Sequence, residues 1–133
     1  MKAAGSLIEG VGAYQAGRFN RAVSRVNATN TLRDQTAEEA RIREEARRAM
    51  GLQVAAQAGS GFEAGTGSAL DALRESAVNA SLDILLSRRK ARSEADAALT
   101  QGRLAAHQGK YALIGGAAKA LGEVADYASA SKG

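Results

Sequence analysis

A chain of 133 residues with no proline, broken once by a run of glycines, has few folds open to it. Gly59, Gly61, Gly65 and Gly67 crowd into that one stretch. Glycine loses the most backbone freedom on entering a helix and readily takes the positive φ that turns require. The sequence on both sides is rich in good helix formers. Directly after the run, Ser68 and Asp71 have the spacing of a capping box, with an aspartate where Glu or Gln is more usual. Leu70, Leu73, Ala77, Ala80 and Ile84 then alternate steps of three and four, which marks one helical face. The pattern predicts an all-α chain, a long helical hairpin in one domain. Its expected parts are a first helix over 1–58 with a Gly-rich start, a turn over 59–67, a second helix over 68–115 and a Gly/Ala-rich tail over 116–133.

Composition says how such a hairpin gains stability. Its apolar residues are mostly alanine, and aromatic residues make up only 4% of the chain. Alanine buries little area, so at about 25 cal/mol per Å² a solitary core contributes little. Thin helices of this kind gain by packing against copies of themselves, and a ring or bundle of protomers is the expected assembly.

The same composition narrows the chemistry. Without cysteine there are no disulfides and no thiolate metal sites. His107 is the single histidine, so a His-rich metal site is excluded, and no serine or acid lies at a motif spacing that makes it a general base. No phosphate-binding loop, dinucleotide fingerprint or nucleophile elbow occurs. The expectation is therefore no enzyme, no cofactor and no metal. No run reaches the roughly 18 apolar residues of a spanning helix. The amino terminus meets Glu9 before any unbroken apolar stretch, so no cleaved signal peptide is expected.

Along the chain, Gly5, Gly10, Gly12 and Gly17 each weaken a helix by about 1 kcal/mol relative to alanine, which predicts a fraying or partner-dependent start. From Arg18 to Ala58 the helical pattern is firmer. Phe19, Val23 and Val26 supply an apolar stripe, and Glu39 to Arg43 and Glu44 to Arg48 have the favourable i,i+4 order, worth about 0.2–0.5 kcal/mol each. Beyond Ile84 the second helix continues its face as Ser87, Ala91, Ala95, Ala98, Gly102, Ala105, Gly109, Ala112 and Gly116. A seam of small residues lets another helix approach closely. Ala91, Ala95, Ala98, Gly102, Ala105 and Gly109 are accordingly the expected oligomer-packing residues. The last residues, from Ser129 on, are expected to be disordered.

Folding the hairpin about residue 63 pairs positions whose numbers sum to about 126. That register sets Arg88, Arg89, Lys90 and Arg92 against Asp34, Glu38 and Glu39, and Asp83 against Arg43. Pairing within the chain or between protomers is the favoured reading, although an exposed pair contributes only ~0–1 kcal/mol. A phosphate-binding patch is the alternative reading of the same basic cluster. The register also brings Tyr14 near Tyr111 and Phe19 near His107, which predicts a small aromatic core.

Residues 47–98 resemble a pattern common in tailed-phage internal virion proteins, among them the smallest ejection protein of short-tailed phages. The matching positions are Ala55, Ala56, Ala58, Gly59, Ser60, Gly61, Gly67, Ser68, Leu70, Asp71 and Leu73, followed by an Ala/acid-rich helix that ends in arginines. Phe62 stands where the pattern often carries a small β-branched residue. The resemblance implies a protein carried in the capsid interior or portal and tail region and ejected ahead of the genome. It would then assemble in the host envelope as part of a conduit for genome delivery. The implied partners are further copies of itself, other ejection, portal or tail proteins, the host outer membrane, and DNA through weak non-specific contact. Two other classes fit the same residues: a helical-hairpin subunit of a secretion-type or other cellular assembly, and a DNA-compacting helical protein.

Overall fold

The computed structural model describes residues 2–59 and 67–130. They form two helices, α1 (Lys2–Gly59) and α2 (Gly67–Ala130), which pack against each other as an all-α hairpin. Gly67 has a φ of +59°, a conformation that L side chains rarely adopt, so glycine at this position lets the chain turn into α2. Gly61 and Gly65 lie outside the described residues. Because α2 already begins at Gly67, Ser68 sits in its first turn rather than before it, where a capping residue would stand. Asp71 instead faces Arg74, 3.8 Å away.

α1 has the predicted length, and α2 is longer than the sequence pattern predicts. α1 is continuous through Gly5, Gly10, Gly12 and Gly17, and α2 runs past 115 to Ala130, taking in the expected tail and Ser129. Tertiary contact outweighs the propensity cost of glycine at the places where the helices touch.

The hairpin divides into two compact units, each holding a segment of both helices. The terminal unit combines the chain up to Thr29 with the chain from Ala95 onward, and the central unit is Asn30–Glu94. In neither is the core made of large side chains. The buried apolar residues are Ala28, Ala91, Ala95, Ala106 and Ala120, and no described large side chain is fully buried.

Candidate assembly surface

The terminal unit is held by a ladder of small residues. On α1 the steps are Gly10, Gly17 and Ser24; on α2 they are Gly102, Gly109 and Gly116. Both series repeat every seven residues, the period that keeps one helical face against a partner. They meet as Gly10 with Gly116, Gly17 with Gly109 and Ser24 with Gly102, pairs whose numbers all sum to 126. A Cβ at Gly109 would stand 2.8 Å from the Ala13 carbonyl oxygen, and one at Gly116 would stand 2.6 Å from that of Ser6. At Gly102 it would be 2.7 Å from the Ser24 Cβ. The backbones therefore touch, and any side chain at these positions would force them apart.

Ala95, Gly102 and Gly109 are buried, with Ala98 and Ala105 half-buried, so the predicted seam is a packing surface. The helix covering it at Gly102, Ala105 and Gly109 is the chain's own α1, which corrects the expectation that these residues face another protomer. Ala91, in the central unit, is also buried and lines a cleft with Thr31 and Gln35 of α1. Sequence reasoning missed the α1 half of the ladder. The seven-residue spacing of Gly10, Gly17 and Ser24 was the available signal, masked by glycine's poor helix propensity.

Close backbones leave no room for rings between them. Phe19 is 68% exposed, Tyr111 is 73% exposed and His107 is exposed, so the expected aromatic core is absent from this unit. Leu104, Tyr111 and Ala118 each lie two residues beyond a seam glycine, about 200° around the helix at 3.6 residues per turn. Phe19 and Val26 have the same offset from Gly17 and Ser24 on α1. Ile8, Phe19 and Val26 on one helix, with Leu104, Tyr111, Ile114 and Leu121 on the other, thus form outward apolar faces. Of the Phe19, Val23 and Val26 stripe read from the sequence, Phe19 and Val26 point away from α2 and Val23 lies at the flank of the seam.

The central unit is held by polar side chains. Glu39, whose side chain is only 10% exposed, accepts hydrogen bonds from Arg88 Nε and from Arg88 Nη2, the latter at 2.6 Å. Gln35 Nε2 donates to Glu39 at 3.0 Å, and Ser87 Oγ donates to Gln35 Oε1 at 2.8 Å. Arg43 reaches the second Glu39 oxygen at 3.2 Å. The Arg88 hydrogen bonds first, then the one from Gln35, hold the Glu39 carboxyl down at about 2. Arg88 is correspondingly raised, by the same hydrogen bonds. Gln53 and Ser76 form a second polar contact between the helices, with Nε2 to Oγ at 3.3 Å.

Of the predicted charge pairs, Arg88 with Glu39 forms across the hairpin. Glu38 bonds Arg41 on its own helix at 2.7 Å, Lys90 lies 3.9 Å from Glu94, and Arg43 is taken by Glu39 rather than Asp83. Neighbours one turn away on the same helix are closer than residues across the groove, which is why these depart from the predicted pairing. Among the described residues Arg89, Arg92 and Asp34 make no ion pair, and Asp34 lines an open cleft with Glu38, Lys90 and Glu94. The i,i+4 pair of Glu44 with Arg48 is present at 3.0 Å.

No group of His, Asp or Glu that could hold a metal ion occurs among the described residues, and none of their helices is long and apolar enough to cross a membrane. No family model, curated protein or solved structure matches the chain.

Proposed function

We propose that this chain is a structural virion protein of a tailed phage, ejected into the host envelope and assembling there into part of an oligomeric conduit for genome delivery. The observation that carries assembly is the inversion of its apolar residues. In the terminal unit alanine and glycine fill the space between the helices, while Ile8, Phe19, Val26, Leu104, Tyr111, Ile114 and Leu121 face outward. Covering a large apolar side chain contributes about 1.5–3 kcal/mol, and contiguous outward faces of this kind mark interaction surfaces. Their spacing on long helices suits the helices of further protomers. The role is structural and requires no catalytic group or cofactor. The phage assignment rests on the resemblance of residues 47–98 to internal virion proteins.

Two measurements test the proposal. Sedimentation of the full chain should show a concentration-dependent oligomer, and a strict monomer at high concentration would remove the assembly reading. Mass spectrometry of purified particles before and after triggered ejection should find the chain in the first sample and not in the second. Absence from intact particles sinks the virion role and leaves the secretion-type hairpin in its place.

A further inference from the structure

The formal net charge of +4 is not spread over the molecule. The terminal unit's sequence contains eight basic and four acidic residues and the central unit's contains ten of each, so the whole excess belongs to the terminal unit. Part of it converges on one cleft of about 520 Å³ between α1 and α2, lined by Tyr14, Arg18, Arg21, Arg25 and Lys110. No acidic residue lines this cleft, and among the described residues none of its four cations makes an ion pair. The contrast with the central unit is direct, since Arg41, Arg43, Arg47, Arg48 and Arg88 all bond glutamates there. Arg18 lies over the half-buried Tyr14 ring, 5.9 Å from its centroid, which orients the guanidinium without neutralising it.

We infer that this cleft is a binding site for the phosphodiester backbone of duplex DNA. Arginines at 18, 21 and 25 follow one edge of α1 over about 10 Å at 1.5 Å per residue. Phosphates of one DNA strand advance about 3.4 Å each along the duplex axis, so that edge spans about three of them. Guanidinium forks bond phosphate oxygens two at a time, and Lys110 adds a point charge from α2. The cations line a concave cleft, which suits a ridge of phosphates. All base sequences present the same backbone, so binding here is non-specific. It does not depend on the chain forming a conduit; within a conduit, it names the surface that faces the genome. The cluster at Arg88 to Arg92 is not this site, because Arg88 is committed to Glu39.

The test is fluorescence anisotropy of a labelled 20-base-pair duplex with the full chain at about 50 and 200 mM salt, the range over which counterion release is read. Four phosphate contacts at a slope of ~0.9 each predict an affinity loss of roughly 100-fold over that rise. The combined variant Arg18→Gln, Arg25→Gln, Lys110→Gln should reduce the loss to about fourfold, with helicity retained by circular dichroism. Arg89→Gln with Arg92→Gln, a charge removal in the central unit, should leave the salt slope unchanged. If the Gln variant loses helicity, Arg18→Lys with Arg25→Lys decides: it should keep the slope and bind more weakly, and equal affinity would overturn the phosphate-fork geometry. No binding at the lower salt, an unchanged slope in the Gln variant, or an equal loss in the central-unit control overturns the site. So does binding to vesicles of phosphatidylglycerol in phosphatidylcholine without binding to the duplex, which would assign these cations to a membrane surface. Sedimentation of the same samples reads assembly separately, so DNA binding and oligomer formation fail independently.

Discussion

The terminal and central units build the same antiparallel helix pair from opposite materials. In the terminal unit, Gly10, Gly17 and Ser24 meet Gly116, Gly109 and Gly102, and backbone lies on backbone. In the central unit, Gln35, Glu39, Ser87 and Arg88 reach across and bond one another. Both exteriors carry exposed apolar residues, Leu52, Leu82, Leu85 and Leu86 among them in the central unit, and they differ in charge. Phe19, Tyr111, Ile114 and Leu121 are exposed around the glycine ladder, whereas Arg41, Glu44, Glu45 and Arg48 form charge ladders on α1 of the central unit. A seam that excludes side chains sends them outward, where they invite a partner. A seam that uses polar side chains satisfies those groups within the chain.

The largest expected effect comes from filling the glycine seam. Gly109→Leu places a side chain where even a Cβ would stand 2.8 Å from a backbone oxygen, so the helices must separate. Overpacking of this kind costs about 1–3 kcal/mol, and the high end is expected where the obstacle is backbone. Thermal melts by circular dichroism should show the loss, and a melt equal to wild type would break the ladder model.

Next comes the polar layer. Glu39→Ala leaves Arg88 and Gln35 without their shared acceptor and should lower the melting temperature by more than Glu44→Ala, whose partners Arg47 and Arg48 are exposed. A double-mutant cycle with Arg88→Met checks that Glu39 and Arg88 are coupled; additive effects would show that they are not.

Acid should act through the same residue. Because the Glu39 carboxyl is held at about 2, below its ordinary 4.5, its contribution is fully present above about pH 4.5 and is lost as pH falls towards 2. Melting temperature followed across that range should fall less in Glu39→Gln than in wild type. Parallel curves would place the acid sensitivity elsewhere.

Outward substitutions should barely touch the hairpin. Tyr111→Ser with Leu121→Ser is expected to change monomer stability by no more than ~0.5 kcal/mol, the usual range for surface positions, while weakening any oligomer seen by sedimentation. A modest effect of the opposite sign is expected at Gly12, which has open space around its missing Cβ. Gly12→Ala should raise stability by about 0.5–1 kcal/mol through helix propensity alone, the opposite sign to Gly109→Leu. If both changes destabilise, the distinction between seam and surface glycines fails.

Helicity, the pairing of two long helices as a hairpin, the small-residue face of α2 and the register in which Arg88 meets Glu39 were all legible in the residues. Periodicity and local propensity determine which side chains share a face, and charge order along two strands of a hairpin narrows how they align. What covers each face was decided only by tertiary structure. Glycine carries two opposite meanings, a weak point in an isolated helix and a point of closest approach in a packed one. Gly10 and Gly17 take the second only because Gly116 and Gly109 stand opposite. Phe19 and Tyr111 read as core because aromatic rings usually are, yet backbones in contact leave them no interior to fill. Glu38 and Lys90 likewise satisfy themselves one turn away on their own helices, a choice that depends on distances of a few ångströms which sequence order does not contain.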